Sequence, residues 1–107
     1  MNPGRLNKRL EVFRPPKEDE TDEAGQPLKE FFPVKSIWAS IEPLRGRELF
    51  SAQQTNAEIT TRIRTRYHKE IDRTMVGRVN GIEFEFLYVI NPDYANKELQ
   101  IMCRERQ

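Results

Sequence analysis

The sequence predicts a mainly β protein: a small antiparallel β-barrel or sandwich of about six strands with one short helix. Two observations carry this. Between Glu58 and Tyr67 the chain alternates, with Ile59, Thr61, Ile63, Thr65 and Tyr67 against Glu58, Thr60, Arg62, Arg64 and Arg66, the period-2 pattern of a half-buried strand. Asn80-Gly81 then sits between two further apolar runs, a pairing that signals a tight hairpin with a type I′ turn.

The remaining elements follow in order. Lys8–Arg14 alternates around Leu10 and Val12 and is stopped by Pro15-Pro16, since proline supplies no donor to a strand ladder. The stretch from 17 to 27 is acidic, carries no large apolar side chain and holds Gly25 and Pro27, so a flexible loop is expected there. The β signal resumes over Leu28–Ile41, with Ile37, Ala39 and Ile41 on one face and Ser36, Trp38 and Ser40 on the other, and Pro43 ends that run. Helix formers without proline predict a short helix over Arg47–Gln54, too poor in apolar residues to stand without tertiary support. Met75–Val79 and Ile82–Ile90 form the two arms of the Asn80-Gly81 hairpin. In the second arm Ile82, Phe84, Phe86, Tyr88 and Ile90 are expected to oppose Glu83, Glu85, Leu87 and Val89. Asn91-Pro92-Asp93 makes a turn, and Glu98–Arg104 is the last strand. The expected core is Leu10, Val12, Ile37, Ile59, Ile63, Phe84, Phe86, Leu99 and Ile101.

Composition narrows function. A chain of 107 residues suits one domain spanning 1–107, and 36% hydrophobic against 33% charged residues means an economical core. A formal net charge of +1 gives no strong bulk attraction to DNA or to an anionic membrane. No apolar run approaches the roughly 18–20 residues of a membrane span, and the start lacks a signal-peptide core, so a soluble protein made in the cytoplasm is expected. A lone His68 and a lone Cys103 cannot build a standard zinc site by themselves. Cys103 alternates with Leu99 and Ile101 and reads as a small core residue, while His68 reads as a solvated loop residue. No phosphate-binding glycine motif and no nucleophile–base signature is present, so no cofactor, no small-molecule substrate and no enzymatic activity are expected.

The features that could carry function are surface charges. Arg62, Arg64 and Arg66 share one strand face, and three like charges so spaced need partners. Carboxylates of a neighbouring strand, such as Glu83 and Glu85, would serve. A neighbouring subunit comes next, and DNA last, because the face lacks the aromatic or amide readers that strands use on bases. Arg45, Arg47 and Glu48, at the start of the helix, are a second candidate contact segment between subunits.

Several segments together resemble the head–tail joining (head-completion) proteins of tailed bacteriophages. Asn2-Pro3-Gly4, with Leu6, Arg9 and Leu10, resembles their opening; Asp22-Glu23-Ala24-Gly25-Gln26 is similar to the loop after their first strand. Ile37-Trp38-Ala39, followed by Ile41, Pro43-Leu44, Gly46-Arg47-Glu48, Phe50 and Ala52-Gln53, looks like their central motif. Ile63-Arg64, Arg66-Tyr67 and the closing Glu98-Leu99, Ile101, Cys103 and Glu105 fall where the family carries its later strands, while Lys69–Thr74 departs from the pattern. The resemblance implies a β-barrel-like virion component, working as a homo-oligomeric ring between the portal-side adaptor and the tail and closing the DNA-filled head. It implies no catalytic residues. The other readings are a different β-rich tail component, such as a tail terminator or tube protein, or a nucleic-acid-binding barrel.

Overall fold

The computed structural model describes residues 6–17, 19–26, 28 and 30–106. Six strands, β1 (Lys8–Arg14), β2 (Phe32–Pro43), β3 (Thr61–Arg66), β4 (Val76–Val79), β5 (Ile82–Ile90) and β6 (Glu98–Arg106), close into an antiparallel barrel in the order β1-β2-β3-β6-β5-β4. One helix, α1 (Gly46–Thr55), links β2 to β3. Of the two architectures expected, the barrel is the one formed.

Inward positions explain the closure. Leu10, Val12, Ile37, Ala39, Ile63, Phe84, Phe86, Leu99, Ile101 and Cys103 meet in one buried cluster, to which Ile71, Met75 and Val79 are added. A barrel of so few strands has room inside only for side chains, so it must be filled by apolar residues alternating along each strand. Every residue of the expected core is buried. Thr65, fully buried on β3, satisfies its hydroxyl on the Arg66 carbonyl at 2.8 Å, and the Cys103 thiol donates to the Thr61 carbonyl at 3.3 Å. Burial pushes the Cys103 thiol up to about 12, with Glu105 adding to the shift, so it is a packing residue and not a nucleophile.

Four expectations need correction. The second strand starts at Phe32, not Leu28, and runs through Pro43. Pro43 is tolerated at its last position, since it pairs with Thr61 at the end of the ladder. The alternation expected along β5 breaks at a bulge between Phe86 and Tyr88. The bulge turns Val89 toward the barrel interior and sends Leu87 and Tyr88 to a second cluster outside it. Ile59 is fully buried but precedes β3, and it belongs to that outer cluster with Leu44 and Met102, beneath Leu49 and Ala52 of α1. His68 is half-buried, not solvated, and burial together with Lys35 lowers its pKa against the pull of Glu70.

Local chemistry supports the turns. Asn80 and Gly81 both have positive φ, 50° and 83°, as a type I′ turn demands. In the acidic loop, whose Glu18 and Pro27 lie outside the described residues, the Asp22 carboxylate accepts from the Ala24 and Gln26 amides, each at 2.9 Å. The Arg14 guanidinium donates to Glu20 at 2.7 Å, and with the Lys17 amide it holds that carboxyl down at about 2.

Gly77, on β4, marks the tightest place in the wall. A Cβ there would stand 2.6 Å from Leu10 Cδ1 and 3.0 Å from the Phe86 ring. Both neighbours are buried, so neither can move away freely. Gly77→Ala is expected to lower stability by about 1–3 kcal/mol, and Phe84→Ala by about 3–5 kcal/mol. Urea unfolding of the two variants checks both values; an unchanged midpoint for either removes that residue from the packing account.

Candidate functional site

The arginine stripe lies on the outer face of β3, and the strand order decides what it meets. Its neighbours are β2 and β6, so Glu42 stands across from Arg62 and Glu98 across from Arg66. Arg62 donates to Glu42 Oε1 from Nε at 3.0 Å and from Nη2 at 2.9 Å, and its Nη1 lies 2.8 Å from Glu48 Oε1 on the helix. Arg64 donates from Nε to Glu42 Oε2 at 3.2 Å, and its Nη1 is 3.7 Å from Glu98 Oε2. Ser40 adds a hydroxyl donor to Glu42 at 3.2 Å. One carboxylate thus bridges two arginines.

These are different partners from the Glu83 and Glu85 expected from the sequence. Those two lie on β5, which does not touch β3, and they pair with β6 instead. Arg106 reaches Glu83 at 3.0 Å and Glu85 at 3.4 Å, and Arg104 reaches Glu85 as well as Glu58 at 3.2 Å. The result is a ladder of ion pairs across the outer face of β2, β3, β6 and β5.

Burial works against the charge of Glu42, yet hydrogen bonding from Arg62 and the charges of Arg64 and Arg62 leave its pKa below the ordinary value. Arg62 shows the counterpart, raised by Glu42 and Glu48 despite burial. Lys35 likewise pairs with Glu70 and lowers its pKa. Glu98 Oε2 is buried and accepts no hydrogen bond within the described residues, so the more distant Arg64 provides its electrostatic support.

The helix segment is placed by the same network. Arg45, Arg47 and Glu48 are all exposed, and Glu48 ties α1 to β3 through Arg62. Gln53 Nε2 donates to the Ile59 carbonyl at 3.1 Å and anchors the other end of the helix. Arg45 and Arg47 meet no carboxylate at ion-pair distance among the described residues.

Arg66, the third member of the stripe, behaves differently. It is exposed, outside the ladder, and borders a shallow hollow with Leu6, Asn7 and Trp38. Trp38 is 55% exposed, and the Arg9 guanidinium sits 4.9 Å from its ring centroid. Trp38 and Arg9 were absent from the sequence-based site. The available signal was the placement of Trp38 opposite the apolar face of its strand, where a large aromatic has no core to enter.

A cleft of about 410 Å³ between β1, β4 and β5 is lined by Phe13, Phe31, Met75, Arg78, Glu83 and Arg106 among others. Of the three acids in its lining, Glu83 and Glu85 are already bound to Arg104 and Arg106, and Glu30 is exposed to solvent. Among the described residues no group of three or more His, Cys, Asp or Glu is placed to hold a metal, and no helix is long and apolar enough to cross a membrane.

Two variants test the ladder. Arg64→Glu sets a third carboxylate beside Glu42 and Glu98 and is expected to lower the unfolding free energy of the isolated subunit by about 1–3 kcal/mol. A melting midpoint equal to that of the parent would mean Arg64 is not paired within the subunit. Glu42→Gln is expected to cost about 1–2 kcal/mol at pH 7, discounted because the pair is partly solvated. Because the folded pKa of Glu42 is depressed, its contribution is complete above the unfolded value and is lost as pH falls through that range toward the folded one. Between pH 6 and pH 3 the parent should therefore lose more stability than Glu42→Gln, and parallel curves would count against the assignment.

The whole chain can now be set beside known proteins. The family model described as phage head completion protein matches residues 1–106. Head completion protein gp7 of Enterobacteria phage HK97 is 26% identical over 112 residues, covering 97% of this chain and 96% of that protein. The solution structure of protein SF1141 from Shigella flexneri 2a superposes with a TM-score of 0.75 at 28% identity, covering 98% of this chain and 96% of the other. A chain from the virion of a native gene transfer agent particle shares the fold, with a TM-score of 0.60 at 17% identity over 95% of this chain and 96% of that one. A closed barrel whose surface carries paired charges and exposed aromatics, matched from end to end by one family, belongs to the phage head completion proteins and has their structural, head–tail joining role in the virion.

Proposed function

We propose that this chain assembles as a homo-oligomeric ring seated between the portal-side adaptor and the tail, closing the DNA-filled head and presenting a docking surface to the tail. The family match over residues 1–106 carries this reading. The fold adds a physical reason. A closed barrel offers no free strand edge for pairing, so association must use side-chain patches on its outer wall. That wall exposes Trp38 (55%), Phe50 (68%) and Tyr94 (91%) in separate places, on β2, on α1 and in the β5–β6 turn. Separate, different patches suit head-to-tail contacts, which close into rings when the rotation allows.

Arg45 and Arg47 are candidates for non-specific contact with packaged DNA, since they are exposed and a phosphate could take the position a carboxylate does not fill. Residues 19–26 carry little apolar area, so we infer that they retain backbone motion until assembly. Synthesis in the host cytoplasm and incorporation into the particle complete the reading.

The test is direct. Purified protein is added to filled, tailless heads that lack it, and the portal vertex is imaged by electron cryomicroscopy. A closed ring of density beyond the adaptor, together with restored tail attachment and DNA retention, is the expected result. Tail attachment without any ring would overturn the assembly proposed here.

A further inference from the structure

We propose that in the ring the surface formed by Arg9, Trp38 and Arg66 receives the acidic turn of the next copy of this chain, at Asp19, Asp22 and Glu23. The inference rests on the ring reading above and names which two surfaces of the subunit meet.

The receiving surface is built across three adjacent strands. Arg9 of β1 pairs with Trp38 of β2 in the ladder, and β3 brings Arg66 to the same hollow beside Leu6 and Asn7. Arg62 and Arg64 have their charge met inside the subunit by Glu42, Glu48 and Glu98. Arg9 and Arg66 meet no carboxylate at ion-pair distance among the described residues. An exposed tryptophan held between two such arginines combines the residue types that dominate binding energy at protein interfaces.

The donating surface is equally specific. Glu20 is already bound to Arg14, but Asp19, Asp22 and Glu23 are exposed. The turn is shaped by the Asp22 carboxylate, which caps the Ala24 and Gln26 amides through Oδ1. The two surfaces cannot satisfy one another within a subunit. The acidic turn lies beyond the Arg14–Phe32 end of the β1–β2 hairpin, whereas Trp38 pairs with Arg9 five residues back along β1, a separation of about 16 Å at strand spacing. The opposite charges, one patch at each end of the same hairpin, call for a second copy.

The experiment uses the full chain and filled, tailless heads. Trp38→Ser and Arg9→Glu change exposed side chains and are expected to keep the parent melting midpoint while reducing ring formation on the heads by at least about tenfold. Arg66→Glu should do the same, and the double variant Arg66→Glu/Glu23→Arg should recover most of the loss, because the swapped charges meet across the boundary. Asp22 is left intact, since it shapes the turn. A further variant, Glu23→Cys/Arg66→Cys, should give a ladder of disulfide-linked oligomers under mild oxidation on the heads, with buried Cys103 taking no part. Normal ring formation by Trp38→Ser, or no recovery in the charge swap while the parent forms rings, would overturn this pairing and leave the ring itself standing. Cross-linking of position 66 to an adaptor or tail protein, and not to position 23, would overturn the choice of occupant. Failure of the parent to form any ring would overturn both readings together.

Discussion

Closing the sheet between β1 and β4 takes only three residue pairs, Glu11 with Arg78, Val12 with Gly77 and Phe13 with Val76. The rest of the molecule depends on that short seam. It can form only because Gly77 lets Leu10 and the Phe86 ring approach the wall, so the thinnest residue in the barrel stands where the two ends of the sheet join. Once the seam is shut, the interior is full of apolar side chains and every charged group is forced outward. The order of strands around the wall then fixes which charges are neighbours. β3 is set between β2 and β6, so its arginines find Glu42 and Glu98; β6 is set beside β5, so Arg104 and Arg106 find Glu83 and Glu85.

Much of this was legible in the sequence where the signal is local. Period-2 alternation around Ile63, the Asn80-Gly81 turn and the helix-forming run before Gln54 each depend on residues close in the chain, and each formed within a few residues of its expected place. The pairing of β3 with β2 across the intervening helix, and with β6 nearly forty residues away, joins residues distant in the chain, and no local pattern encodes either. For that reason the partners of Arg62 and Arg64 were assigned to the wrong strand. The bulge after Phe86 was hidden for a different reason. Phe86, Leu87, Tyr88 and Val89 are all apolar, so shifting the register by one residue leaves the pattern of hydrophobicity unchanged. Here the outer cluster under α1 supplies a second apolar face, which lets Leu87 and Tyr88 turn outward at little cost.

The surface divides accordingly. On the β3–β6–β5 side, acids and bases are matched within the subunit, and such a face gains little from a charged partner, because a new pair must first displace an existing one. On the β1–β2 side, Arg9 stacks on an exposed tryptophan and Arg66 stands beside it. The topology that closes the barrel thus splits the arginine stripe: Arg62 and Arg64 are paired within the subunit, and Arg66 stands beside the exposed tryptophan.

That division also bears on when a ring can form. Among the described residues, much of the charge on the β3–β6–β5 wall is matched within the subunit, at a formal net charge of +1. A single contact between one acidic turn and one small aromatic surface is weak, since rim charges are screened and few side chains are buried. In the proposed ring, each subunit would make that contact twice, once as donor and once as receiver, while an adaptor beneath would hold neighbours at a fixed spacing and raise their effective concentration. On that proposal, weak, surface-confined contacts would make closure cooperative at the portal, where the last subunit would form two contacts for the ordering of one.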